Sequence, residues 1–324
     1  MATTQPSGIV SKPSTTPYAH LTQTPHKNQA LNPIATQEPR IHSIYEPKTG
    51  TWQYIVADPS TKRAIIIDSV LDYDPTTQKI STTTADALLS LISKNAYHID
   101  KILETHAHAD HLTAASYLQH RLSQQQQGSK PRIGIGKRIK QVQELFAQKY
   151  GIPPEEYEGV FDQLFDDDET FQVGELDVRV IHLPGHTPDH VGYQIGANIF
   201  SGDSLLHPSL GTARCDFPGG SAPSLYLSAR KLLSLPSHVK IWTGHDYPAA
   251  SREAVPWMTV QDHKERNRHV KQGVEEEEFI RLRQERDAGL EAPGLLDPAL
   301  QVNVRGGRLP GVRGGSEGWW GGDE

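Results

Sequence analysis

The sequence holds a single cysteine, Cys215, among 324 residues. No disulfide can form within the chain, which fits a reducing compartment, and a zinc site built on thiolates is excluded. A basic excess is also missing: the net charge is −7, the isoelectric point is near 6.1, and acidic runs stand at Asp166-Asp167-Asp168-Glu169 and from Glu275 to Glu278. A surface of that sign repels a phosphate backbone, so nucleic acid is not expected as a partner. No apolar stretch approaches the roughly 20 residues that cross a bilayer. Hydrophobic residues reach only 36% and mean hydropathy is −0.54, so part of the length is expected to lie in tails.

Residues 1–40 are rich in Thr, Ser, Pro and Gln, with no acidic residue before Glu38. Such a composition cannot bury enough surface to offset its ordering entropy, and it reads as a disordered extension. It shares its hydroxyls and lack of acid with mitochondrial transit peptides but has no arginine before Arg40. A cytoplasmic location is therefore expected, with a mitochondrial one as the alternative. Residues 311–324, glycine-rich around Trp319-Trp320, read as a flexible tail. Residues 41–310 remain as the domain.

What is present in that domain is histidine and aspartate at the ends of apolar runs. The densest group is Thr105-His106-Ala107-His108-Ala109-Asp110-His111, which follows the strand-like Lys101-Ile102-Leu103-Glu104. Three imidazoles and a carboxylate at this spacing point to a metal site, and without thiolate the set suits zinc, iron or manganese. If the chain is extended there, His106 and His108 share one face; Asp110 and His111 then begin a helix over Leu112 to His120.

The same pattern recurs. Strands are expected at Ile41 to Tyr45, Trp52 to Ala57, Ala64 to Ile67, Arg132 to Ile135, Val178 to Leu183, Tyr193 to Phe200 and Val239 to Trp242. A Pro-containing turn, Asp58-Pro59-Ser60-Thr61, separates the second and third. The last three deliver His186, Asp203 and His245, each within a glycine-containing loop. Asp68 ends the Ala64 to Ile67 run, and either orients a metal ligand or satisfies loop amides. His190 reads as structural. Helices are expected from a Thr82-Thr83-Thr84 cap to Asn95, at Lys137 to Lys149 with Val142, Leu145 and Phe146 inward, at Trp257 to Val270 and at Glu275 to Ala288. Ser123 to Lys130 reads as a polar surface insertion. The two C-terminal helices either cover the substrate-side face or form a homodimer contact. Strands alternating with helices indicate a layered α/β domain.

His106, His108, Asp110, His111, His186, Asp203 and His245, with Asp68 before them, resemble in order the ligand positions of the metallo-β-lactamase superfamily. The resemblance runs from about Ile41 to beyond Tyr247. It implies an αββα sandwich with the metal at one edge between two sheets. Gly202-Asp203-Ser204-Leu205-Leu206, Gly211 to Gly220, His245-Asp246-Tyr247, Asn267-Arg268-His269-Val270 and Asn303 to Pro310 resemble the persulfide dioxygenases, relatives of hydroxyacylglutathione hydrolase (glyoxalase II). That likeness implies one iron(II) per chain held by His106, His186 and Asp203, with His108, Asp110, His111, His245 and Asp68 behind it, and oxidation of glutathione persulfide by O2 to sulfite and glutathione. Arg214 would grip a glutathione carboxylate, its alternative being a salt bridge to Asp216, and Tyr247 would sit at the pocket edge; Cys215 is expected to be buried and inert.

Two other readings stay open. The first is a thioester hydrolase of the glyoxalase II kind, with two zinc, iron or manganese ions. Its Asp203 would bridge a set of His106, His108 and His186 to a set of Asp110, His111 and His245. The second is a non-catalytic interaction module stabilised by metal. A closed structural site usually takes four ligands, often thiolates, so seven candidates without a thiolate favour a reactive site.

Overall fold

The computed structural model describes residues 38–127, 129–250 and 252–311. The extension expected over residues 1–40 falls outside the described residues apart from Glu38 to Arg40, as does the tail expected over 311–324 apart from Gly311.

The described residues open with a hairpin, β1 (Arg40–Glu46) and β2 (Thr51–Ala57), followed across the Asp58 turn by β3 (Arg63–Ile67). A short pair, β4 (Val70–Asp74) and β5 (Lys79–Ser81), leads into α1 (Thr83–Asn95) and then β6 (His98–Leu103). After the His-rich loop come β7 (Leu112–Thr113), α2 (Ala115–Gln125), β8 (Arg132–Gly136), α3 (Ile139–Tyr150), α4 (Pro154–Tyr157) and β9 (Gln163–Phe165). A meander of β10 (Thr170–Val173), β11 (Leu176–His182), β12 (Val191–Ile195) and β13 (Asn198–Phe200) follows. The chain then runs through α5 (Ala222–Leu233), β14 (Lys240–Trp242), β15 (Trp257–Thr259), α6 (Val260–Arg266), α7 (Glu276–Asp287) and α8 (Leu296–Asn303).

Two six-stranded sheets result, in the orders β1-β2-β3-β6-β8-β9 and β10-β11-β12-β13-β14-β15, beside a small sheet β5-β4-β7. The period-2 alternation of side chains decides how they stack. In β3, Ile65 and Ile67 join Tyr54, Leu103, Val180, Tyr193 and Phe200 in one core shared by the two sheets, whereas Ala64 and Ile66 join a second core with Leu88, Leu118 and Phe146 from α1, α2 and α3. On the far side, Ile199 and Ile241 meet Leu225, Leu232, Val260 and Phe279 from α5, α6 and α7. Both faces of each sheet are thus covered, and the architecture is the expected αββα sandwich. Each fully buried isoleucine or phenylalanine contributes about 1.5–3 kcal/mol of transfer free energy.

Several local expectations are corrected. The helix expected from Asp110 does not begin there: Leu112 and Thr113 pair with Leu71 and Val70 of β4, and α2 starts only at Ala115. The extended chain expected at His106 and His108 has already ended at Leu103. Tyr193 to Phe200 is a hairpin rather than one strand, broken at Gly196, where φ is +57°. Trp257 to Val270 splits into β15 and α6 because Met258 and its neighbours pair with β14. Leu145 is 42% exposed, on the outer side of α3. Thr82 makes no capping bond; the Asp72 carboxylate takes that place, accepting from the Thr84 amide and hydroxyl. Within the polar stretch 123–130, Gln126 ties to both main-chain groups of Ile99 in β6. The second C-terminal helix, α7, packs on α5 over the outer face of its sheet.

Candidate metal centre

Strand direction collects the site. β3 and β6 are parallel, as are β13 and β14, so Asp68, the His106 loop, Asp203 and His245 all follow strand C-termini. The loops of the two sheets are stitched together there: the Val191 amide donates to the Thr105 carbonyl at 2.8 Å, the Tyr193 hydroxyl to the Glu104 carbonyl at 2.8 Å, and the Ala107 amide to the Asp189 carboxylate at 2.8 Å. His186 reaches the same place from the tight loop after β11, where Gly185 at φ +140° lies against the backbone of Leu225.

Among the described residues, four donor groups can be read from side-chain atoms that lie within 4.8 Å of one another: His106 with His186 and Asp203, His108 with Asp110 and His111, Asp68 with Glu104 and His108, and Asp110 with Asp203 and His245. The hydrogen bonds behind them fix which atom each imidazole turns inward. The Thr105 hydroxyl donates to Asp68 Oδ2 at 2.8 Å, so it accepts from His106 Nδ1–H at 2.9 Å and leaves the His106 Nε2 lone pair free. His186 Nδ1 donates to the Arg214 carbonyl at 2.7 Å, and its Nε2 faces Asp203 Oδ2 at 3.7 Å. His111 Nδ1 donates to Asp110 Oδ2 at 3.0 Å. His108 is reversed: its Nε2 lies between Asp68 Oδ1 at 3.1 Å and Glu104 Oε2 at 3.2 Å, leaving Nδ1.

The atoms left over are His106 Nε2, His108 Nδ1, His111 Nε2 and Asp203 Oδ1, all buried without a hydrogen-bond partner. Orphaned donors of this kind are costly unless a ligand takes them, so the residues present fit a bound cation. The electrostatics agree for the first group. Burial, and then the neighbouring imidazoles of His108, His190, His186 and His245, hold the His106 pKa well below its ordinary value, which keeps it neutral and able to ligate. Burial would also depress His108, but the Asp68 and Glu104 carboxylates outweigh it and carry that pKa well above the ordinary value. For His245, Asp110 and Asp203 outweigh burial in the same sense.

The substrate-side expectations sit differently. The Arg214 guanidinium is engaged by both carboxylate oxygens of Asp216 and by the Glu291 carbonyl, and the main chain of Arg214 carries His186. Tyr247 is 52% exposed and stacks on His245 with ring centroids 5.7 Å apart; a side chain at Gly50 would collide with it. Cys215 is half-buried, and burial pushes its thiol up to about 12. Its amide is held by Asp287, which pairs with the buried Arg283, and Arg283 also donates to the Thr212 carbonyl, so α7 anchors the Gly211 to Gly220 loop.

Glu104, Thr105, Asp189 and Asn303 belong to the site without having been singled out as site residues in the sequence. Asn303, at the end of α8, donates to the carbonyls of His108 and His111 at 2.8 Å each and accepts from the Thr113 amide at 2.8 Å. The signal that pointed towards it was the Asn303 to Pro310 stretch.

Comparison with known proteins adds to this geometry. The model of the metallo-beta-lactamase superfamily matches residues 47–245. Glyoxylase B2 of Dictyostelium discoideum is 43% identical over 278 residues, 84% of this chain and 92% of that protein. The mitochondrial persulfide dioxygenase ETHE1 of Bos taurus is 26% identical over 270 residues, 82% of this chain and 88% of that protein. The crystal structure of ETHE1 from Myxococcus xanthus superposes with a TM-score of 0.66 at 25% identity, covering 83% of this chain and all of that one.

Proposed function

The chain belongs to the metallo-β-lactamase superfamily, and on that premise we propose that it is an iron(II)-dependent persulfide dioxygenase acting on glutathione persulfide. The reaction is GSSH + O2 + H2O → GSH + H2SO3, in which the terminal sulfur is oxidised, the S–S bond breaks and dioxygen is reduced. The observation that carries this reading is the donor grouping. His106, His186 and Asp203 form one compact set, while His108 groups with Asp110 and His111 and, on its other nitrogen's side, with Asp68 and Glu104. Two imidazoles and one carboxylate are the donor set of non-haem iron(II) oxygenases, with positions left open for reactants. The likeness of Gly211 to Gly220 to the persulfide dioxygenases, and the similarity to ETHE1 along most of the chain, support it.

Iron(II), when bound there, supplies the one-electron chemistry that lets dioxygen react with a persulfide sulfur. The chain's own residues hold the geometry. Thr105 and the Arg214 carbonyl fix the tautomers that turn His106 Nε2 and His186 Nε2 inward. The stitched loops of the two sheets leave both imidazoles no more than 8% exposed, which limits bulk water at the reacting atoms. Arg214 and Tyr247 are assigned to the glutathione moiety, Arg214 dividing its guanidinium between Asp216 and a substrate carboxylate and Tyr247 offering its hydroxyl at the rim.

A second reading is a thioester hydrolase with two metals. The observation in its favour is Asp203 itself, whose Oδ2 lies 3.7 Å from His186 Nε2 and 3.6 Å from His245 Nε2, between two donor groups as a bridging carboxylate would be. The 43% identity to Glyoxylase B2 favours it as well. One preparation separates the two. Purified anaerobically with iron, the protein is expected to take up O2 in the presence of glutathione persulfide and to release sulfite. Two zinc ions per chain, no oxygen uptake and hydrolysis of a glutathione thioester would instead establish the hydrolase.

A further inference from the structure

We infer that His190 is a positioning residue for the metal centre, seating Asp203 of the His106, His186 and Asp203 set through the amide of that residue; the inference rests on the proposal that this set holds the metal. His190 is fully buried. Its ring stacks on His106 with centroids 4.6 Å apart and an interplanar angle of 18°, and meets His186 edge-on at 6.2 Å and 75°. The third member is held by a hydrogen bond: the amide of Asp203 donates to His190 Nε2 at 3.1 Å.

That bond fixes the chemistry of the ring. A main-chain N–H only donates, so Nε2 is a lone-pair acceptor and the ring proton sits on Nδ1. His190 Nδ1 has no partner among the described residues. The ring is therefore a neutral plate with its basic nitrogen turned to the backbone of a metal-binding carboxylate. Packing shows how close the approach is. Gly202, at φ +49°, has no room for a side chain, since a Cβ there would lie 2.9 Å from His190 Nε2 and 2.5 Å from the Thr105 hydroxyl. Removing the acceptor leaves the buried Asp203 amide unsatisfied and frees the turn Gly202–Ser204 to rotate its carboxylate away.

Two substitutions split the ring's roles. His190→Phe keeps the plate against His106 and removes the acceptor, whereas His190→Gln keeps an acceptor near the Nε2 position and removes the plate. Cobalt(II) is the probe, read by titration and by its visible absorption, which reports the ligand field without turnover. His190→Phe is expected to bind cobalt(II) about 10- to 100-fold more weakly than the wild type and with a changed spectrum, and His190→Gln within a few-fold and with a near-native spectrum. Native affinity and spectrum in His190→Phe, or a loss in His190→Gln as large as in His190→Phe, would overturn the inference. Melting of the metal-free proteins identifies a variant that fails to fold; if His190→Phe does, His190→Leu takes its place as the variant without an acceptor, weakened cobalt(II) binding supporting the inference and native binding overturning it. His106→Ala run alongside keeps the two ideas apart. If it binds cobalt(II) normally the ligand set is wrong, and if it loses cobalt(II) while His190→Phe does not, only the role of His190 fails.

Discussion

The hydroxyl of Thr105 donates to Asp68 and accepts from His106, so one side chain couples a buried carboxylate to the tautomer of an imidazole proposed to bind the metal. Asp68 holds a second oxygen against the Thr105 amide at 2.7 Å and lies 3.1 Å from His108 Nε2, and its own backbone is left-handed at φ +52°. Strain of that kind, at a cost of roughly 1–3 kcal/mol, persists only where surrounding bonds over-determine it. Thr105→Val keeps the shape and removes the hydroxyl. It is expected to weaken metal affinity about 10- to 100-fold with little change in fold, measured by competition against a chromophoric chelator; unchanged affinity would mean that His106 is oriented by packing alone. At this scale the sequence was legible for candidate ligands and silent for their supports. A histidine two residues from another is visible as a motif, whereas threonine or glutamate beside it gains meaning only from what it touches.

Turns and helix ends carry the next level. Asp58 closes the turn between β2 and β3, accepting from the Ser60 amide and the Thr61 hydroxyl, and it also accepts from the Glu175 amide in the turn between β10 and β11, joining the two sheets. Burial alone would raise its pKa, but the bonds from Thr61, Glu175 and Ser60 outweigh it and hold the carboxyl well below the usual range. Because the folded pKa lies under the unfolded one, the stabilisation is complete above about pH 4 and is lost as pH falls further towards the folded value. Asp58→Ala should therefore lower stability by about 1–3 kcal/mol at neutral pH, and the gap between variant and wild type in urea midpoint should narrow below pH 4; a gap that widens in acid would contradict this account. The proline and hydroxyls of the turn were readable in the sequence, but its partner Glu175 was not, since nothing local links the two turns.

Helix α8 supplies Asn303 to the main chain of the His108 and His111 loop, from a position beyond the 47–245 match to the superfamily. Gly307 follows at φ +85°, where a Cβ would lie 2.9 Å from the Ser116 amide nitrogen, so the chain presses directly on the start of α2. Asn303→Ala leaves two carbonyls and an amide without partners and is expected to cost about 1–3 kcal/mol for each buried group left unsatisfied. Thermal unfolding measures it, and the loss should carry weaker metal binding with it. Intact metal affinity in a destabilised Asn303→Ala protein would assign Asn303 to the fold alone.

Across the whole molecule, the metal is expected to act as a cross-link between the two sheets, since His106 follows β6 of one and His186 and Asp203 follow β11 and β13 of the other. A ligand bound only by the folded state at 100 times its dissociation constant adds about 2.7 kcal/mol. Chelation should thus lower the melting temperature by roughly 5–10 °C, restored on adding metal back; a melting temperature indifferent to chelator would argue against a shared site.

The sequence by itself determined the strand ends and the donor types. Apolar runs of β-branched residues reveal buried strands, and His or Asp just past them is a local feature of the chain. It also determined the layered class, because strands buried on both faces, such as Ala64-Ile65-Ile66-Ile67, need cover on each side. Only the tertiary structure decided which donors lie together. His106 and His108 are two residues apart, yet one turns Nε2 towards His186 and Asp203 while the other is drawn by Asp68 and Glu104. That choice depends on which nitrogen each ring spends on a hydrogen bond, and the partners in those bonds arrive from strands far away along the chain.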